Sequence, residues 1–150
     1  MGWKPDITVA AIITRGQQFL MVEELIQGRH VFNQPAGHVE PNETPHAAVI
    51  REALEETAWQ FHPEYLVGVY LWRKPGTLRD TFRIAYCGGL GAHDAARPLD
   101  RPVIANHWLG RDQLTAMNGR LRTPLVLRCI DDYLAGRRLP LEAVADLRAI

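Results

Sequence analysis

Glu52, Glu55 and Glu56 lie close together in the chain, and Gly37, Glu43 and Arg51 lead up to them at set intervals: Glu43 follows Gly37 by six residues and Arg51 follows Glu43 by eight. Clustered carboxylate oxygens suit hard cations such as Mg²⁺, which take oxygen ligands, keep several waters and are often shared with substrate phosphates. The competing reading is a solvated helix face, since Glu is a good helix former and charge runs usually face water. A spacing that holds across both a loop and a helix favours the first reading.

The element that must hold these acids is a helix starting near residue 45. Thr44 is a good N-cap, and Pro45 suits the first helical position, where its missing N–H costs nothing. At roughly 100° per residue, Ala47, Ile50, Leu54 and Ala58 share one face, and Glu52, Glu55 and Glu56 occupy a sector on the opposite side. No Lys follows any of these acids by four residues to relieve their repulsion, so another group must neutralise them.

The segment resembles the Nudix box, G-x5-E-x7-R-E-U-x-E-E-x-G-U with U apolar: Gly37, Glu43, Arg51, Glu52, Glu55 and Glu56 all match in place. The resemblance implies that Glu52, Glu55 and Glu56 bind divalent metal or activate water, that Arg51 and Glu43 pair to brace the loop against the helix, and that the Ala36 carbonyl can also reach a metal. Glu52 and Glu56 are expected as the principal ligands, with Glu55 as a further ligand or the base. The implied cofactor is Mg²⁺, with Mn²⁺ as the alternative. Ala58 stands where the family has glycine. Either it accepts a left-handed turn, at roughly 1–2 kcal/mol for a non-glycine, or the helix runs on to about Gln60 before His62-Pro63 stops it. Helix extension is the expectation, because Ala is the best helix former.

Composition narrows the partners. The chain has 150 residues, 47% of them hydrophobic and 23% charged, which suits one ordinary globular domain over residues 1–150. Seventeen basic and seventeen acidic residues leave no net charge, hence no global field to hold long nucleic acid. Cys87 and Cys129 form no C-x-x-C pair, and the histidines show no zinc spacing. No Gly-x-Ser-x-Gly elbow is present. The start lacks an apolar signal core and no run is long enough to span a membrane. A cytoplasmic protein, monomeric or weakly dimeric, with a small-molecule partner is the expectation.

Around the acidic helix, Ile7–Thr14 and Phe19–Leu25 read as a hairpin, followed by a short extended piece, His30–Phe32. Tyr65–Trp72 and Thr81–Cys87 read as a second hairpin around Lys74-Pro75-Gly76-Thr77. Gly88–Pro102 reads as a long loop and Val103–Leu109 as a last strand. A short helix runs to about Met117, and a second, Leu125–Leu134, is announced by Thr123-Pro124 and ended by Gly136. Pro140–Ile150 is expected to add a helical turn. This order predicts an α/β fold, a central mixed sheet between helices, which is also the α/β/α sandwich that the Nudix resemblance implies.

The resemblance extends to the bacterial NudJ-type phosphatases through Phe32–His38, Leu121–Val126 and Arg138–Glu142. It implies hydrolysis of nucleoside di- or triphosphates or related pyrophosphates, extending to a thiamine-pathway pyrimidine pyrophosphate. The opposing class is a Nudix-fold module that senses a nucleotide without cleaving it; retention of every acidic box position argues against it. Asp100 is the candidate for a further metal ligand, against a turn-capping role. Gln34 is a candidate to hydrogen-bond a base or sugar, and Phe32, Trp72 and Trp108 to stack on a ring, against packing roles for each. Gly37 and His38 lie beside the metal loop and complete the substrate-binding candidates.

Overall fold

The computed structural model describes residues 2–148. Strand β1 (Asp6–Ile12) pairs in parallel with β7 (Asp80–His93) and antiparallel with β5 (Ala36–His38), and β7 pairs antiparallel with β6 (Trp59–Arg73). These form a mixed sheet of order β5-β1-β7-β6. A second, antiparallel sheet is built on β3 (Gln18–Ile26), which pairs with β2 (Thr14–Arg15), β4 (Arg29–Asn33) and β8 (Val103–Gly110). The expected Ile7–Leu25 hairpin thus reduces to a short closure near Gly16, because β1 finds its partners in β5 and β7 instead.

Strand alternation sorts the core into two layers. Val9, Ala11 and Ile13, with Leu20, Ile84 and Tyr86, meet Ala48, Val49 and Ala53 of helix α1 (Pro45–Thr57). Their neighbours Ile12, Phe19, Met21, Ala85 and Cys87 point the other way, onto Val126, Cys129 and Ile130 of helix α3 (Leu125–Leu134) and Leu114 of helix α2 (Arg111–Ala116). Each such strand is buried on both sides, which is why β1 reads as a continuous apolar run rather than an alternating one.

The start of α1 forms as the sequence predicts, while α3 begins at Leu125, one residue later than the Thr123-Pro124 cap signal places it, with Pro124 at its cap position and Thr123 just ahead of it. Thr44 Oγ1 accepts from the Ala47 N–H at 3.1 Å, and Thr123 Oγ1 from the Leu125 N–H at 3.1 Å. The end of α1 differs from expectation. Ala58 adopts φ 61°, ψ 14°, a left-handed C-cap whose N–H donates to the Leu54 carbonyl, and β6 begins at the next residue. Trp59 must enter β6 opposite His93, and the Asp94 N–H binds the Ala58 carbonyl at 2.9 Å. The sheet therefore reverses the chain within one residue, and Ala58 takes the strained conformation. The buried face of α1 also differs: Ala48, Val49, Ala53, Glu56 and Thr57 are buried, while Ala47 is exposed.

The stretch from Gly88 that reads as a loop continues β7 to His93. Here the glycines permit close strand approach: a Cβ on Gly88 would lie 2.0 Å from the His62 carbonyl oxygen. In the tail, a single 3₁₀ turn forms at Leu141–Ala143, and the last two residues of the expected helical segment lie outside the described ones. No helix among the described residues is long and apolar enough to cross a membrane.

Candidate active site

Helix α1 carries its acids against the short strand β5, and Arg51 organises the junction. Its Nε and Nη2 donate to both Glu43 oxygens at 2.7 and 2.9 Å, its Nη1 to Glu52 at 2.9 Å and to Glu55 at 2.7 Å, and Nη2 also to the His38 carbonyl at 3.0 Å. Part of the neutralisation that the helix required comes from this arginine, four residues ahead of Glu55 rather than behind it; a single guanidinium charge is shared among three carboxylates and does not balance them. The Arg51 hydrogen bonds hold the Glu43 carboxyl below its usual range, and Arg51's own pKa is raised, chiefly by Glu43.

Glu52 and Glu56, one turn apart, border a cavity of about 500 Å³ together with Ala36, Gly37 and His38. Gly37 is needed for this approach: a Cβ there would lie 2.2 Å from the Glu52 carboxyl carbon. The Ala36 N–H donates to Glu56 Oε1 at 2.9 Å. Burial pushes the Glu56 carboxyl up to about 9, outweighing the Ala36 hydrogen bond, and the charges of Glu52 and Glu24 push in the same direction. Burial also raises the Glu52 carboxyl, partly offset by Arg51. Glu56 is only 8% exposed, so the acidic face of the helix does not look outward into solvent.

Several candidates lie elsewhere. Glu55 stays with Arg51 and is not part of the cavity wall. Asp100 is exposed; its backbone N–H donates to the Glu55 carbonyl and its carbonyl accepts from Val103, a turn at the end of the β7–β8 connection. Gln34 is buried with both ends occupied: its Nε2 donates to the Val126 carbonyl at 2.8 Å and its Oε1 accepts from Arg83 at 2.9 Å. That satisfies the amide within the core, behind the residues that line the cavity. Phe32 is buried against His107 and under the Arg120 guanidinium. Trp108 packs on the α1-side core with the Arg15 guanidinium over its ring. Of the three aromatics, Trp72 is the one on the cavity wall.

The cavity also draws Glu24, Thr81 and Arg83, which no motif announced, beside Asn33, Arg122 and Thr123 of the stretches Phe32–His38 and Leu121–Val126. Glu24 is buried with Oε2 paired to Arg122 at 2.8 Å, while its Oε1 has no hydrogen-bond partner. A charged residue inside the β3 pattern Phe-Leu-Met-Val-Glu-Glu-Leu was the one available signal: Glu is depleted in strands. Among the described residues, no three His, Cys, Asp or Glu side chains converge into a metal cage.

Comparison with known proteins follows the same lines. A model described as the NUDIX domain matches residues 4–126. The phosphatase NudJ of Escherichia coli strain K12 is 33% identical over 144 residues, which is 96% of this chain and 93% of that protein. A solved NUDIX hydrolase from Nitrosomonas europaea is 40% identical and superposes with a TM-score of 0.92 over 95% of this chain and 97% of its own. A MutT NUDIX hydrolase from Burkholderia pseudomallei, at 18% identity and a TM-score of 0.72, covers 87% of this chain and 98% of its own and shares the fold.

Proposed function

Because this chain belongs to the Nudix family and is a hydrolase, we propose that it cleaves the phosphoanhydride bond of organic di- and triphosphates with a divalent cation held by Glu52 and Glu56. The observation that carries the reading is the convergence of these two carboxylates on one cavity, each with its ionisation opposed by burial. Two desolvated acids one helical turn apart are poorly compensated by protein groups alone, and a cation supplies the missing charge.

The donors present fit Mg²⁺. The buried Glu24 Oε1 lacks any donor and borders the same space, and an open set of carboxylates suits an ion that keeps waters and shares itself with phosphates. When bound, such an ion screens phosphate oxygens and lowers the pKa of a coordinated water. The chain's own residues do the rest. Arg51, fixed by Glu43 and Glu55, sets the position of Glu52; the Ala36 N–H sets that of Glu56; and Trp72 gives the cavity wall an aromatic side chain against which a planar organic group can rest. In-line cleavage then depends mainly on positioning and charge stabilisation, which is the usual demand of phosphoryl transfer.

A phosphate-release screen tests this. Nucleoside di- and triphosphates, nucleotide sugars and thiamine-pathway pyrimidine pyrophosphates are offered to the protein with Mg²⁺, with Mn²⁺ and with chelator. At least one class is expected to turn over with metal and stop with chelator. Turnover that survives chelation overturns the metal-dependent reading, and so does the absence of turnover across all classes.

A further inference from the structure

The cavity floor is a set of cross-strand rows on the α3 side of the mixed sheet. One row runs His38, Thr8, Arg83 and Tyr70, and the next runs Asp6, Thr81 and Trp72. Arg83 therefore stands in the middle of the floor, between the β5 edge that meets the α1 carboxylates and the β6 strand that bears Trp72. It is 4% exposed.

Its partners are all neutral. Nη1 donates to Gln34 Oε1 at 2.9 Å and lies 3.9 Å from Cys129 Sγ, and Nη2 donates to Asn33 Oδ1 at 3.2 Å. Burial keeps the Cys129 thiol above its usual range and hence uncharged. The Arg83 Nε has no partner. Among the described residues Arg83 makes no salt bridge, while the other arginines of the cavity wall are each matched: Arg51 with Glu43, Arg79 with Asp6, and Arg122 with Glu24.

A charge taken out of water and given only neutral acceptors is costly, and the cost is removed by an opposite charge. Gln34 and Asn33 fix the guanidinium without cancelling it. The Gln34 amide is itself locked by the Val126 carbonyl, so its oxygen has one direction to point. A purely structural arginine at this depth would be expected to carry a carboxylate partner; an arginine held by amides keeps its full charge for a ligand.

We propose that Arg83 is the anion receptor of the substrate cavity, donating to an oxygen of the phosphate group that lies away from Glu52 and Glu56 and so setting the affinity for that phosphate. Guanidinium geometry suits phosphate oxygens, and Trp72 and Thr81 lie beside it for the organic part. This inference rests on the cavity being the substrate site, as proposed above.

The test is calorimetric titration of the full chain with inorganic pyrophosphate in chelator, which needs neither metal nor turnover. The wild type is expected to bind, and Arg83→Gln to weaken Kd by about tenfold or more, the range for a lost hydrogen bond to a charged group. Asn33→Asp keeps the arginine but gives it an internal carboxylate; it is expected to remain folded by its melting curve and to lose a similar factor. Lys74→Gln removes one positive charge from the exposed mouth and is expected to cost less than about threefold, since exposed charge is screened. The proposal is overturned if the wild type does not bind, if Arg83→Gln or Asn33→Asp binds like the wild type, or if Lys74→Gln costs as much as Arg83→Gln. Arg83-dependent binding with no turnover in the substrate screen would sink the catalytic reading alone, and normal turnover with Arg83-independent binding would sink this one alone.

Discussion

Replacing Glu56 by Gln separates the cost of a buried acid from its use. Glu56 is held near pKa 9 in the fold against 4.5 for the free side chain. With the folded value raised, the protonated acid contributes its full stability below pH 4.5; the contribution shrinks as pH rises and is gone above about 9. At about 1.4 kcal/mol per pH unit, the loss between pH 4.5 and pH 7 is on the order of 3 kcal/mol. Gln has nearly the same shape, can still accept from the Ala36 N–H and has no proton to lose. In chelator, Glu56→Gln should therefore melt close to the wild type at pH 4 and roughly 6–12 °C above it at pH 7, with the gap still widening towards pH 9. With Mg²⁺ the order should reverse in response: the wild type gains stability and turns over, whereas Glu56→Gln gains little and loses most of its kcat. The assays are differential scanning calorimetry at several pH values, with and without Mg²⁺, and steady-state kinetics on the same samples. A melting gap that does not change with pH would refute the buried-acid argument, and near wild-type kcat would refute the metal-site role.

Three further outcomes follow from the geometry. Ala58→Gly should stabilise the protein by about 1 kcal/mol in denaturant melts, because glycine takes the left-handed cap without a Cβ clash, and kcat should change little; destabilisation would contradict the observed φ of 61°. Arg51→Ala and Glu43→Ala, combined in a double-mutant cycle, should show a coupling of about 1 kcal/mol or more, since the pair makes two hydrogen bonds; additive losses would show that the two do not act as a unit. Trp72→Ala should raise KM with a modest change in Tm, whereas Trp108→Ala should lower Tm by several degrees and leave KM nearly unchanged; the opposite pattern would mean that Trp72 is not the ring-binding wall.

The sequence by itself determined the local features of this protein. Thr44 and Pro45 start α1, Thr123 and Pro124 lead into α3, and the interval from Gly37 to Glu56 brings the acids onto one helix with Arg51 among them. These are readable because capping, turn chemistry and helical periodicity act over a few residues. What periodicity leaves open is which face of an element meets which neighbour. Glu56 belongs to the acidic sector of α1, yet the packing of that helix against β5 turns it inward and raises its pKa. Ala58 favours helix by propensity, yet the entry of Trp59 into β6 opposite His93 forces the left-handed cap, and a whole ladder of strand hydrogen bonds outweighs about 1 kcal/mol of local preference. Phe32, Trp72 and Trp108 look alike as aromatic residues beside strands, and only the assembled sheets place Trp72 on the cavity and the other two in packing. Glu24 and Arg83 stand far apart in the chain, on β3 and β7, and carry no motif; they reach one cavity because β1 pairs in parallel with β7 and because β3 packs Phe19 and Met21 into the same core as α3. Such long-range pairing is decided by the burial of both strand faces at once, a property of the folded core and not of any local stretch of chain.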